Sequence, residues 1–533
     1  MNKTARYFHT LRYLKAQQLF YQLYYRIRKQ GRRVLRMTYP LQRERQGFSV
    51  QLVPFIHKEQ LYDNGTFTFL NRAHSFGEGV GSIDWEFGEY GKLWLYNLNY
   101  FDVLLQPGMT REFGLVLIES FLAALHQGSV GLEPYPLSLR GINGIKFLVR
   151  HQVQRADITG ALFAHYTILA RNLEYHLLGN HLLENAFSLL YGAFFFREKR
   201  WFEKSRALLV RELDEQILGD GAHFELSPMY HQILLDRLLD CINLLQYNDC
   251  FASQHELLHL CEGKAGAMLS WLKVMTFSDG TIPHLNDATD GIAPSSQQLF
   301  EYAARLGLKN IAFQSSVQLK ESGYRKCRNS WYECVVDAGS IGPSYIPGHA
   351  HADTLNFVLQ VQGEPMFVDT GISTYEKNLI RDEERSTVAH NTVVVNGRNS
   401  SEVWGGFRVG QRAALKILED RERVVSAQHD GYKRFGVIHK REWVFHDDSM
   451  VITDTISGHA ERAEAFFHYH HTITPELLGN RVVTEYADLI VEGSQQIEIR
   501  KYMQALGYNR RVEAWCVVVS FSNTLITTIV CKK

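Results

Sequence analysis

The sequence predicts an α+β multidomain protein in which a helical region precedes an antiparallel β-sandwich. The chain has 533 residues, more than one ordinary hydrophobic core organises, so two or three domains are expected. Apolar residues recur at helical spacing from about 110 to 320. Near 325 this pattern gives way to short β-branched and aromatic runs, which are typical of strands.

Successive helical segments make up the first part of the chain. "REFGLVLIESFLAALHQG", "HLLENAFSLLYGAFFF" and "HQILLDRLLDCINLLQY" each place apolar residues on a helical period, and short turns with Gly, Pro or Asn separate them. A long series of helical hairpins is typical of a solenoid or a closed toroid. A helical arm and an irregular connector are expected before it, over residues 1–80.

Short strands make up the second part. "WYECVVDAG", "LNFVLQVQG" and "NTVVVNG" are bounded by Gly, Asn and Asp, as in an antiparallel sandwich. We place the boundary at about 322, within "QLKESGYRKCRN". The predicted domains are therefore the arm and connector (1–80), a helical domain (81–322) and a β-sandwich (323–533).

Composition excludes several classes of protein. The 57 basic and 57 acidic residues cancel, so no global field attracts nucleic acid or an anionic membrane. No apolar run reaches the ~18 residues that a transmembrane segment needs. The seven cysteines are an odd number without a CxxC pair, which favours buried thiols in a reducing compartment.

The N-terminal arm, "MNKTARYFHTLRYLKAQQLFYQLYYRIRKQGRRVLR", is basic and amphipathic. We expect its Leu, Phe and Tyr face to pack on the body of the protein; the alternative is a peripheral helix on a membrane surface. The arm lacks the apolar core and the cleavage site of a secretory signal. A cytoplasmic or cytoplasmic-membrane-associated location is therefore expected, with a periplasmic location as the alternative.

A polar stripe crosses the otherwise apolar segment "GNHLLENAFSLLYGAFFF". His181, Glu184, Asn185 and Ser188 fall at i, i+3, i+4 and i+7, and so share one face of a helix. The stripe predicts either a buried hydrogen-bond network between helices or the lining of a cleft. In a cleft, Glu184 would hold the His181 ring and raise its pKa.

A second cluster is "HFELSPMYHQ". Ser227 is a good N-cap and Pro228 a good first helical residue, so a helix is predicted to start here. Tyr230 would lie in its first turn, where the positive end of the helix favours a phenolate. The alternative is a tyrosine that simply packs at a helix start.

Two polar residues in "EPYPLSLRGINGIKFLV" have two interpretations. Arg140 would either bind a substrate carboxylate in a bidentate manner or form a surface ion pair. Asn143, three residues later on the same segment, is the second polar residue.

The third cluster is "GHAHADTLNFVLQVQGEPMFVDTG". Imidazole and carboxylate are zinc ligands, and His351, Asp369 and His390 form a candidate set. A simple hairpin turning at 363–365 would leave Asp369 roughly 25 Å from His351 along the strands. The set therefore requires a fold-back before Leu355 or non-sequential strand pairing; otherwise the histidines are only hydrogen-bonded.

Four motifs together, "NHLLEN", "SPMYH", "GHAHADTLNF…FVDTG" and "RSTVAHNTVVVNG", resemble the heparinase II/III-like family of polysaccharide lyases. The resemblance extends from about 80 to 480, and the arm resembles bacterial members associated with surface-polysaccharide gene clusters. It implies an incomplete (α/α) toroid followed by an antiparallel β-sandwich, with the active-site cleft between them.

The resemblance also implies roles for particular residues. Asn180 and His181 correspond to the residues at the substrate carboxylate, with Glu184 beside them. Tyr230 corresponds to the catalytic tyrosine, which acts as base, acid or both, and His349 to a histidine across the cleft. Further implied residues are a catalytic Tyr375, the substrate contacts Arg140, Asn143 and Arg385, and the ligands His351, Asp369 and His390 of a structural zinc ion (Zn²⁺) that pins the His349 loop.

The implied reaction is β-elimination in a uronate-containing acidic polysaccharide or oligosaccharide. One alternative is a uronate C5-epimerase on the same scaffold, which returns the proton to the other face of the sugar. Another is a non-catalytic glycan-binding protein of surface-polysaccharide biosynthesis.

Overall fold

Helices dominate the chain as far as residue 305. The computed structural model describes residues 3–77, 79–308 and 316–532. Its α-helices are α1 (Lys3–Leu11), α2 (Ala16–Val34), α3 (Lys92–Asn99), α4 (Arg111–Ala124), α5 (Pro134–Arg150), α6 (Ala156–Arg171), α7 (Gly179–Phe196), α8 (Lys199–Gln216), α9 (Pro228–Gln246), α10 (Gln254–Met275), α11 (Ser296–Arg305) and α12 (Leu379–Glu384).

The helices from α5 to α10 pack as successive hairpins, with α7 at the centre. Helix α7 contacts α5, α8 and α9. Its sequence is apolar on every side, and every residue except His181 is buried. A helix of this kind has no face that water stabilises, so its neighbours must cover it completely. The polar residues that α7 carries therefore lie either inside the protein or at the cleft.

Strands are concentrated after residue 315. The strands are β1 (Tyr62–Asp63), β2 (Thr66–Phe69), β3 (Arg72–Ser75), β4 (Ser316–Leu319), β5 (Tyr324–Arg328), β6 (Tyr332–Asp337), β7 (Phe357–Val361), β8 (Glu364–Phe367), β9 (Val393–Val395), β10 (Val403–Trp404), β11 (Arg408–Val409), β12 (Leu415–Arg421), β13 (Val424–His429), β14 (Ile438–Phe445), β15 (Ser449–Ser457), β16 (Ala463–His468), β17 (Glu476–Leu478), β18 (Arg481–Val483), β19 (Ala487–Gly507) and β20 (Arg510–Cys531).

Two antiparallel sheets form the sandwich. One has the order β4-β5-β6-β7-β8, and the larger has the order β12-β13-β14-β15-β20-β19-β18-β17, with β16 pairing with β20 and β9. Burial alternates along β14 and β15, as expected of strands with one face on a core. The core between the sheets contains Phe357, Phe367, Trp443 and Phe467. The predicted fold class, a helical region followed by an antiparallel β-sandwich, is confirmed.

The change from helix to strand comes earlier than the predicted boundary at 322. Helix α11 ends at Arg305 and β4 begins at Ser316. Position 322 lies between β4 and β5. The predicted boundary is too late because the four residues of β4 are too few for their alternation to be recognised in the sequence. The connector also differs from expectation, since β1, β2 and β3 form a small antiparallel sheet within it.

The N-terminal arm crosses both domains. Arg6 Nε donates to Glu402 Oε1 of the sandwich at 2.8 Å, and Gln18 Nε2 donates to the Leu177 carbonyl of the helical domain at 3.1 Å. The arm packs only in part as expected: Tyr21 and Tyr25 of α2 contact the helical domain, whereas Phe20, Leu23 and Ile27 face outward. Within the described ranges, no helix is long and apolar enough to cross a membrane.

A hydrophobic cluster joins the two domains. Trp271 of α10 is buried with Leu226 of the helical domain and with Tyr324, Val335 and Val358 of the smaller sheet. The Tyr324 hydroxyl donates to the Leu226 carbonyl at 2.6 Å. Because the cleft lies between these domains, this cluster fixes the relative position of its two walls.

We expect Trp271→Ala to lower the free energy of unfolding by about 3–5 kcal/mol, since it leaves a large cavity in a shared core. Urea denaturation followed by circular dichroism measures the change. Tyr247→Ala, which removes an exposed ring from the end of α9, is the matched control. Equal stability of the two variants would contradict the assignment of Trp271 to a stabilising interdomain core.

Candidate active site

A cavity of about 760 Å³ lies between the helical domain and the sandwich. Both domains and the arm contribute to its walls. Its lining includes Tyr135, Asn180, His181 and Tyr230 from the helical domain, His349, Tyr375 and Tyr508 from the sandwich, and Tyr7, Leu11 and Gln18 from the arm. The cavity therefore brings together residues that are far apart in the sequence.

Three side chains from opposite walls are in contact. The rings of Tyr230 and His349 are 3.9 Å apart between centroids, with an interplanar angle of 33°. The Tyr230 hydroxyl lies 3.1 Å from that of Tyr375, which lies 3.4 Å from His349 Nδ1. The structure thus gathers the predicted residues Tyr230, His349 and Tyr375 at one point of the cavity.

Tyr230 is positioned by the start of α9. Pro228 is the first residue of the helix, and the Ser227 hydroxyl accepts a hydrogen bond from the Tyr230 N–H at 3.3 Å, as the sequence predicted. The expected preference for a phenolate is wrong. Burial in the cleft raises the pKa of Tyr230 well above its ordinary value, and the nearby Tyr508 adds to the effect. Burial outweighs the helix terminus, so Tyr230 is a protonated phenol at neutral pH.

Asp287, which sequence reasoning missed, organises the sandwich side of the site. It lies in the loop between α10 and α11 and is fully buried. Its carboxylate accepts from His349 Nδ1 at 2.8 Å and from His351 Nε2 at 2.8 Å, and Arg381 Nη2 donates to it at 2.7 Å. Burial alone would raise the pKa of Asp287, but the Arg381 guanidinium and these hydrogen bonds hold it well below its usual range.

The polar stripe on α7 divides between the two predicted roles. His181 lines the cavity, whereas Asn185 and Ser188 are buried between helices. Asn185 Nδ2 donates to the Ser138 hydroxyl of α5 at 3.1 Å, and the Ser188 hydroxyl donates to the Ser138 carbonyl at 2.8 Å. His181 and Asn185 also share Glu174, a residue that the sequence did not single out.

The partner expected for His181 is different in the structure. Its Nδ1 lies 3.1 Å from Glu174 Oε1, while Glu184 pairs with Arg237 Nε at 3.2 Å. Burial lowers the pKa of His181, but the Glu174 carboxylate outweighs it, so the pKa is raised. Burial also raises the pKa of Glu184. Glu174, which precedes α7, therefore replaces Glu184 as the carboxylate that favours a cationic imidazole.

Three residues expected at the substrate have structural positions instead. Arg140 donates to the carbonyls of Asn99 and Gly131, and Asn143 donates to the Tyr100 carbonyl at 2.9 Å. Arg385 donates to the Ala350 carbonyl, between His349 and His351, with Nη2 at 2.8 Å. All three are buried and bond to backbone oxygens, because a buried guanidinium or amide needs a partner. Arg385 acts on the site by holding the loop.

The chain folds back at Leu355, which resolves the spacing problem of the third cluster. Leu355 has a left-handed φ of 66°, and β7 begins only at Phe357. Asn356 Nδ2 therefore donates to Asp369 Oδ2 at 2.8 Å, and His390 Nδ1 lies 2.7 Å from the same oxygen. The ring centroids of His351 and His390 are 5.3 Å apart.

These groups leave unused ligand atoms. Among the described residues, His351 Nδ1 and His390 Nε2 are buried without a hydrogen-bond partner, as is Asp353 Oδ2. Asp369 bonds to the opposite nitrogen of His390, and in the described part of the chain no three His, Cys, Asp or Glu side chains are arranged as a metal site.

Comparisons with known proteins identify the family. Residues 146–306 match the model described as "Heparinase II/III N-terminus", and residues 314–526 match "Heparinase II/III-like, C-terminal". The chain therefore belongs to the heparinase II/III-like family.

Curated relatives and solved structures are similar over long stretches. The chain is 26% identical over 55% of its length to a heparin-sulfate lyase of Bacteroides stercoris, covering 46% of that protein, and 26% identical over 42% to one of Pedobacter heparinus, covering 36%. It thus spans less than half the length of these relatives. A crystal structure of heparinase III has the same fold, with a TM-score of 0.67 at 15% identity, over 84% of this chain and 79% of that one.

We expect Asp287→Ala to destabilise the protein by about 3–5 kcal/mol, because it leaves the buried Arg381 guanidinium without its counter-charge. Urea denaturation measures the loss. Glu513→Ala, which breaks the exposed pair with Lys501, is the control and should change stability by less than about 1 kcal/mol. A similar small change in both variants would show that Asp287 does not organise the loop.

Proposed function

We propose that this protein is a polysaccharide lyase that cleaves a uronate-containing acidic glycan by β-elimination. The observation that carries the proposal is the contact of Tyr230 with His349 across a cleft that Asn180 and His181 also line. Membership of the heparinase II/III-like family and the similarity to named heparin-sulfate lyases support the same reaction.

The chemistry requires three groups in one place. The C5 proton of a uronate is weakly acidic, since its removal places a second negative charge beside the carboxylate. An enzyme must therefore neutralise that carboxylate, accept the proton at C5 and protonate the oxygen that leaves C4. Loss of the C5 proton and cleavage of the C4–O bond create the C4–C5 double bond of the product.

His181 and Asn180 are assigned to the carboxylate. Glu174 favours the protonated form of His181, and a cationic imidazole beside an amide donor would stabilise the charge that develops on the sugar. This pair lies at the first turn of α7, whose N-terminus favours an anion.

His349 and Tyr230 are assigned to proton transfer. The Asp287 carboxylate accepts the Nδ1 proton of His349. We assign Nε2, which lies 3.5 Å from Glu225 Oε2, as the nitrogen that takes the C5 proton. Tyr230, with its raised pKa, retains its proton and donates it to the leaving oxygen. The hydroxyl of Tyr375 lies between the Tyr230 hydroxyl and His349 Nδ1 and links the two groups through hydrogen bonds.

We also propose a structural zinc ion in the sandwich. The unpaired Nδ1 of His351 and Nε2 of His390 would supply two nitrogen ligands, and the unpaired Oδ2 of Asp353 an oxygen ligand. Asp369, which the resemblance implies as the third ligand, lies instead at the opposite nitrogen of His390. When bound, the ion supplies a rigid link between the loop of His349 and the sheet. Asp369 orients the His390 ring through Nδ1, as carboxylates commonly do for a ligating histidine.

Tyr230→Phe tests the lyase proposal. The variant is expected to lose about 10²- to 10⁴-fold in kcat, because the leaving oxygen loses its acid. The substrates are heparosan, hyaluronan, alginate and heparan sulfate, and the ultraviolet absorbance of the unsaturated product is measured. Tyr247→Phe, at an exposed position remote from the cleft, is the matched control and should retain parental turnover.

Other outcomes of the same assay separate the alternatives. Incorporation of solvent deuterium at C5 without absorbance would identify an epimerase. Glycan binding without either signal, equal in parent and Tyr230→Phe, would identify a non-catalytic binding protein. Full lyase activity in Tyr230→Phe would overturn the assignment of the acid.

Metal analysis tests the zinc proposal. Purified parent protein should contain about one zinc per chain, and His390→Gln should lose it and melt at a lower temperature. His446→Gln, outside the cluster, serves as the control. A parent protein that is folded and active without zinc, and that a strong chelator does not destabilise, would contradict the proposal.

A further inference from the structure

The N-terminal arm displays its most apolar face to solvent. On α2, Phe20, Leu23, Tyr24 and Ile27 are exposed at i, i+3, i+4 and i+7, so they form one stripe. Phe20, Leu23 and Ile27 expose 62%, 61% and 63% of their surface. Helices of soluble proteins normally turn such a stripe toward the core.

The opposite face of α2 holds the helix on the protein through polar and aromatic contacts. Tyr25 Oη donates to the Leu173 carbonyl at 2.6 Å, and Gln18 Nε2 donates to that of Leu177. Tyr21 stacks on Tyr175 with 4.7 Å between the ring centroids. These contacts fix the rotation of the helix, so the apolar stripe points away from the helical domain.

Positive charge is concentrated in the arm that carries the stripe. The first 43 residues contain eleven Lys or Arg and neither Asp nor Glu. Arg26, Lys29 and Arg33 are exposed on α2, and at 100° per residue they lie on the flank between the stripe and the face that contacts the helical domain. The remainder of the chain carries the compensating acidic residues, since the whole protein has no net charge.

We infer that the arm is an interfacial helix that binds an anionic lipid surface. Its apolar stripe would enter the boundary between headgroups and acyl chains, while the flanking basic side chains reach the lipid phosphates. Phe8 of α1 is also exposed. A second copy of the chain is a poorer occupant, because two arms without acidic residues would face each other and repel.

Membrane binding would place the catalytic cleft next to the lipid surface. Tyr7, Leu11 and Gln18 line the cavity, so the cleft borders the arm. The inference does not depend on the proposed lyase reaction, since it rests on the exposure and charge of the arm alone.

Vesicle flotation of the full-length protein tests the inference. The parent should bind vesicles of phosphatidylglycerol and phosphatidylcholine in equal parts, and bind pure phosphatidylcholine at least about tenfold more weakly. A triple variant, Phe20→Ser with Leu23→Ser and Ile27→Ser, should lose at least about tenfold in affinity for the anionic vesicles. A second variant, Arg26→Gln with Lys29→Gln and Arg33→Gln, should lose affinity for the anionic vesicles alone, and added salt should reproduce its effect.

The matched control carries Val116→Ser and Val210→Ser, which replace exposed apolar residues on α4 and α8. It should float like the parent, and all variants should keep the parental melting temperature. Failure of the parent to float would overturn the inference, as would equal binding by the parent and the apolar triple variant. A parental dimer that the apolar variant converts to a monomer would assign the stripe to a second copy instead.

Discussion

The buried carboxylate of Asp287 is the interaction on which the rest of the site depends. A charge removed from water is tolerated only when donors replace the lost hydration, and here His349, His351 and Arg381 provide them. Asp287 comes from the helical domain, whereas its three partners come from the sandwich. One electrostatic requirement therefore joins the domains, orients His349 in the cleft and positions the loop that carries His351.

The two walls of the cleft are constructed by different means. On the helical side, the start of α7 presents His181, and the Glu174 carboxylate raises the pKa of its ring. On the sandwich side, His349 and Tyr375 lie on loops of irregular backbone. Buried ion pairs of Asp287 with His349 and with Arg381 hold these loops in position. The turn of the long β19–β20 hairpin adds Tyr508, whose ring lies 5.2 Å from that of Tyr375. Rigid packing on one side thus faces an electrostatic network on the other.

Periodicity was sufficient to predict the two-part fold and the start of α9, because both are encoded locally. The meeting of Tyr230 with His349 was expected only from the family resemblance, since no local pattern joins residues so distant in sequence. Asp287 and Glu174 were missed because a single acid in a loop has no periodic signal, and its importance arises from partners in the folded chain. The fold-back at Leu355 was similarly hidden, since a left-handed φ at a leucine is an exception.

The arm shows most clearly what a sequence pattern leaves undetermined. An amphipathic helix has the same sequence pattern whether its apolar stripe packs on a core or binds a lipid surface, and packing on the core was the favoured prediction. The orientation is instead decided by Gln18, Tyr21 and Tyr25, which bind the helical domain and turn the stripe outward. Because the same arm also forms part of the cleft wall, a lipid surface that bound it would lie beside the cleft that contains Tyr230 and His349.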